Sequence, residues 1–128
     1  IQGKFVAPPP IEGRFADNPH SEQQCLLGRG YSKTVMVTVL NEPSRLLPRE
    51  EVEAAALATV ESINADIEKH ARIGAIIFSQ TPWTIENEIL TPTMKIRREQ
   101  IENTFGEDAE RLARDGAEKG SIQLHWFD

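Results

Sequence analysis

The run Thr34-Val35-Met36-Val37-Thr38-Val39-Leu40 constrains the fold more than any other stretch of this chain. Val35, Val37 and Val39 fall on one face of an extended backbone, and Thr34, Met36, Thr38 and Leu40 on the other, because successive strand side chains point to opposite sides. β-branched residues suit a pleated surface, so the run predicts a strand. Residues 23–27, followed by a Gly28-Arg29-Gly30 turn, read as its antiparallel neighbour.

Around this pair the apolar period changes. Val52, Ala56, Val60, Ile63 and Ile67 recur every three or four residues, and Glu50, Glu51 and Glu53 cluster where a helix dipole favours acids. They predict a helix over residues 48–71. Residues 73–79 follow as a third strand, and Ile101, Phe105 and Leu112 mark a last helix over residues 96–117. Near the start, Pro8-Pro9-Pro10 leads into a short helix over residues 11–15, since proline is tolerated in a first helical turn. Residues 3–5 read as a loop or short strand. Ile122, Leu124 and Trp126 alternate as in a strand, which either folds back on its own domain or docks on another. The order points to an α+β domain whose small, largely antiparallel sheet is covered by helices.

A length of 128 residues suits one small domain. No run of about 18 apolar residues is present, which excludes a transmembrane helix. The chain starts at Ile1 with no basic, then apolar, leader, so it reads as a piece of a longer chain or a processed product. Cys25 is the single cysteine, which excludes an internal disulfide and suggests a small buried hydrophobe in reducing surroundings. His20, His70 and His125 lack ligand spacing, so no metal site is expected. A net charge of −6 argues against nucleic-acid binding.

Chemistry concentrates in Leu90-Thr91-Pro92-Thr93-Met94-Lys95-Ile96-Arg97-Arg98. Pro92 fixes its own φ and disfavours helix at Thr91, so the chain turns just before the last helix. A lysine on so stiff a turn can be aimed at an anion. Together with the preceding Thr84-Ile85-Glu86-Asn87-Glu88-Ile89, this block resembles the last core motif of long-chain acyl-CoA synthetases, within the AMP-binding, adenylate-forming superfamily. Gly3-Lys4-Phe5-Val6-Ala7-Pro8-Pro9-Pro10-Ile11-Glu12 is similar to the segment just after that family's interdomain hinge. The resemblance covers roughly residues 2–114. Glu88 departs from it, standing where a glycine is usual, and residues 115–128 have no counterpart.

The resemblance implies a mobile C-terminal lid domain over residues 1–120, with a tail over 121–128, completing a long-chain fatty-acid–CoA ligase whose large N-terminal domain lies elsewhere in the chain. Fatty acid and ATP would give acyl-adenylate and pyrophosphate, and coenzyme A would then displace AMP. Lys95 is implied as the adenylation lysine. Gly3, Lys4 and Phe5 would line the coenzyme A channel. Glu12, Arg97 and Arg98 would contact the nucleotide or the large domain; a dipole-favouring acid and two solvated cations are the plainer reading. Trp83 reads as core. Mg2+ is expected in the large domain. The fragment alone is expected to be inactive, and the full enzyme cytoplasmic, with peripheral membrane attachment left open. The alternative is a non-catalytic regulatory or ligand-binding module of the same α+β class.

Overall fold

A computed structural model describes residues 6–128. Four strands form one sheet in the order β1-β2-β3-β4: β1 (Ser21–Leu27), β2 (Thr34–Leu40), β3 (Ile73–Ser79) and β4 (Gln123–Trp126). Helices α1 (Pro8–Phe15), α2 (Arg49–Asp66) and α3 (Arg98–Lys119) cover it. The domain is of the α+β class expected, but its sheet is mixed. β1 pairs with β2 antiparallel, whereas β2–β3 and β3–β4 are both parallel. The correction has a simple cause. A helix lies between β2 and β3 and another between β3 and β4, and such connections return the chain to the same end of the sheet.

Both faces are buried. Val35, Val37, Val39, Ala75 and Ile77 point to α3, where they meet Ile101, Phe105, Ala109 and Leu112. Met36, Leu40, Ile76 and Phe78 point the other way, to Ile11 and Phe15 of α1 and Val52, Ala56, Val60 and Ile63 of α2. The domain is thus three layers deep. β2, β3 and β4 step in one direction across the sheet while α2 and α3 lie on opposite faces. One of the two crossovers must therefore be left-handed, against the strong preference for right-handed connections.

Helix α2 ends at Asp66, earlier than its apolar period suggests. Asn64 explains the stop: its side chain accepts from the Ile73 N–H (2.8 Å) and donates to the Ile73 carbonyl (3.0 Å). This pins the start of β3 beside the last helical turn, so the chain must reverse in between. Lys69–Ala71 forms only a short 3-10 turn. Where α3 meets β3, two glycines touch. A Cβ on Gly116 would lie 2.5 Å from the Gly74 carbonyl oxygen.

The C-terminal strand folds back on its own sheet, alongside β3. The Trp126 ring stacks on Phe78 with centroids 4.6 Å apart, and its indole N–H donates to Glu53 (2.8 Å). The Arg49 guanidinium also lies over the ring, 4.3 Å from its centroid. No helix among the described residues is long and apolar enough to cross a membrane.

Candidate functional site

Residues 80–97 leave the end of β3 and run down the β1 side of the domain, with no helix or long strand of their own. At the root, the Asp128 carboxylate accepts from the Gln80 N–H (2.7 Å) and from the Thr81 hydroxyl. Next, Gln23 of β1 grips Trp83 at both backbone groups: the Trp83 N–H donates to Oε1 (2.7 Å), and Nε2 donates to the Trp83 carbonyl (2.9 Å). The Trp83 ring is core, 3% exposed, beside Phe105. Its indole N–H lacks an acceptor, and it is the only such buried side-chain atom among the described residues. Thr84 and Asn87 close a compact turn by reciprocal side-chain to backbone bonds of 3.0 Å.

The segment then folds into a small hairpin that carries Lys95. Leu90 and Ile96 form an antiparallel bridge, and the Arg97 N–H donates to the Ile89 carbonyl (2.7 Å). Between them the Met94 N–H donates to the Thr91 carbonyl (2.8 Å), closing a β-turn with Pro92 and Thr93 at its centre. Met94 itself has φ +67°. A β-turn followed by one left-handed residue is the usual way to close a three-residue hairpin. Proline at the first central position presets the turn. Lys95 follows at once, exposed. Among the described residues its ammonium has no hydrogen-bond or ion-pair partner. Met94 (64% exposed) and Ile85 (42%) lie on the same segment.

Glu12 and Arg98 come together with each other at the surface, along the edge of β1. Arg98, the first residue of α3, donates to the Leu26 carbonyl (2.7 Å) and to Glu12 Oε2 (3.1 Å). Glu12 Oε2 in turn accepts from the Leu26 N–H (2.7 Å). β1 is an edge strand, and the pair satisfies both backbone groups that Leu26 turns outward. This explains a cation at a helix start, where the dipole opposes it. Arg98 also lies 3.2 Å from the Cys25 sulfur. Burial pushes the Cys25 thiol up from 9.0 to about 12, against the pull of the Arg98 charge and with a smaller push from Glu12 and Glu102. Such a thiol is no nucleophile. Arg97 is exposed beside Lys95.

Gly3, Lys4 and Phe5 lie outside the described residues, so their role stays an expectation. Among the described residues no group of three or more His, Cys, Asp or Glu could hold a metal ion. Two residues that build the site were not singled out from the sequence. Thr91 carried a signal, since threonine before a turn proline often bonds its own turn. Gln23 carried none, because its grip on Trp83 spans 60 residues.

Residues 1–115 match the family described as AMP-binding enzyme C-terminal domain. The chain is 30% identical over 128 residues to a carboxylic acid reductase from Mycobacterium marinum, a match covering 96% of this chain and 11% of the relative. It is 26% identical over 125 residues to the peroxisomal long chain acyl-CoA synthetase 6 of Arabidopsis thaliana, covering 83% of this chain and 18% of that protein. The structure superposes on the A-PCP didomain of carboxylic acid reductase from Segniliparus rugosus in complex with AMP, with TM-score 0.74 and 25% identity over 89% of this chain and 17% of that one. The chain therefore spans about a tenth to a fifth of the length of these relatives. On the strength of the match over residues 1–115, the chain belongs to the C-terminal domains of AMP-binding enzymes.

Proposed function

We propose that this domain is the lid of an ATP-dependent acid-activating enzyme and that Lys95 is its adenylation lysine. The observation that carries this reading is an exposed ammonium, free of partners among the described residues, on a hairpin stiffened by Pro92 and anchored at both ends. In the first half-reaction a carboxylate oxygen bonds to the α-phosphorus of ATP, and the bond to pyrophosphate breaks. Both reacting groups are anionic. A lysine spanning them offsets the repulsion and aligns the attack. Its ammonium is a compact charge on a flexible stem, suited to reaching two oxygens.

In this reading the nucleotide and acyl pockets belong to a large N-terminal domain of the same chain. Residues 1–120 form the lid, and Met94 and Ile85 give apolar area where it closes. The acid is a fatty acid and the acceptor coenzyme A, whose thiol sulfur bonds to the acyl carbon as AMP leaves. Gly3, Lys4 and Phe5 approach the pantetheine arm in that second step, where a glycine lets backbone come close. The enzyme is cytoplasmic. A second reading is favoured by the match to the Mycobacterium marinum reductase over 96% of this chain and by the likeness to an A-PCP didomain: a carrier-bound thiol sulfur, instead of that of coenzyme A, bonds to the acyl carbon as AMP leaves.

The test is Lys95→Ala in the full-length enzyme. Adenylate formation, followed by pyrophosphate exchange, should fall by about 10²-fold or more. Thioester formation from supplied acyl-adenylate should persist. Equal loss of both half-reactions would remove Lys95 from its assigned role. Product analysis with free coenzyme A against a carrier domain separates the two acceptors.

A further inference from the structure

Thr91 makes more bonds to the lysine hairpin than any other residue. Its N–H donates to the Lys95 carbonyl (2.8 Å), its carbonyl accepts from the Met94 N–H (2.8 Å), and its hydroxyl oxygen accepts from the Lys95 N–H (3.0 Å). That hydroxyl also lies 3.2 Å from the Thr93 hydroxyl. Thr91 is half-buried, while residues 92–95 are exposed. The Lys95 N–H is thus tied to a side chain and not to the turn carbonyl. Both backbone groups of the lysine are held by one residue, at the last point before the chain becomes free in solvent. Holding N–H and carbonyl together fixes the plane of the Lys95 backbone, and with it the direction in which the Cα–Cβ bond leaves the hairpin.

We infer that Thr91 is a positioning residue for Lys95, acting through its side-chain oxygen. The inference rests on the reading of Lys95 given above and assigns how that lysine is aimed. Val has the shape of Thr without the oxygen, so Thr91→Val removes the hydroxyl alone, and with it the bond from the Lys95 N–H and the contact with Thr93. In the full-length enzyme, loss of one such bond should lower kcat for adenylation about three- to tenfold. KM for ATP and for the acid should stay within about twofold, because the bond aims a charge and binds neither substrate. Thioester formation from supplied acyl-adenylate should be unchanged, and Thr91→Ser, which keeps the oxygen, should restore adenylation.

Lys95→Ala serves as the reference. If it abolishes adenylation and Thr91→Val does not lower it, the lysine stands and the positioning role falls. If Thr91→Val slows both half-reactions alike, or Thr91→Ser fails to restore the first, the hydroxyl serves folding only and the inference is overturned. If Lys95→Ala leaves adenylation intact, the reading beneath the inference fails first, and both are withdrawn.

Discussion

Glu88 and Cys25 sit in environments that oppose their own chemistry. Glu88 holds φ +66°, a region where a Cβ crowds the backbone and glycine does not. It occupies the position where the resembling motif carries glycine, so the departure read from sequence has a structural cost. Glu88→Gly should raise stability by about 0.5–1 kcal/mol, seen as a higher urea midpoint. Cys25 shows the second conflict. Its thiol is pushed up to about 12 in the fold from an ordinary 9.0. Between those values the folded chain holds a proton that the unfolded chain has released. Stability from this group is complete below pH 9 and declines as pH rises toward 12, by at most about 1.4 kcal/mol per pH unit. Unfolding followed across this range should fall more steeply for the wild type than for Cys25→Ala. Alkylation of the native protein at pH 8 should leave Cys25 unmodified.

At the scale of elements, the edge of β1 is the informative place. An edge strand exposes backbone donors and acceptors that can pair with another chain. Here Glu12 and Arg98 close both groups of Leu26, with α1 and α3 contributing one residue each. Arg98→Ala should cost about 1–2 kcal/mol, measured by denaturant unfolding. Glu12→Gln, which keeps an acceptor for the Leu26 N–H, should cost less than Glu12→Ala. The sequence made β2 and α3 legible through their apolar period, α1 through the prolines of its first turn and β3 through an unbroken apolar run. It showed Lys95 on a turn because Pro92 leaves little freedom there. Parallel pairing was readable in principle from the strand–helix–strand order. The Glu12–Arg98 bond joins residues 86 apart, and nothing in either local segment records it.

Over the whole molecule, the layers meet where side chains are smallest. Helix α3 reaches β3 through Gly116, whose missing Cβ admits the Gly74 carbonyl. Alanine favours a helix over glycine by about 1 kcal/mol, yet a Cβ 2.5 Å from backbone must push α3 off the sheet. Overpacking of that kind costs about 1–3 kcal/mol and should win, so Gly116→Ala is expected to lower the melting temperature. The unusual hand of one crossover could not be read from the chain: the common rule would place α2 and α3 on one face, and only the packed cores show them apart. The Glu12–Arg98 clasp acts at this largest scale as well. It fastens α1 to the first residue of α3, directly after the lysine hairpin. Helix α1 and the foot of the hairpin are therefore soldered to a common chassis. Neither can shift without dragging the other, so the first helix and the lysine hairpin travel as one body.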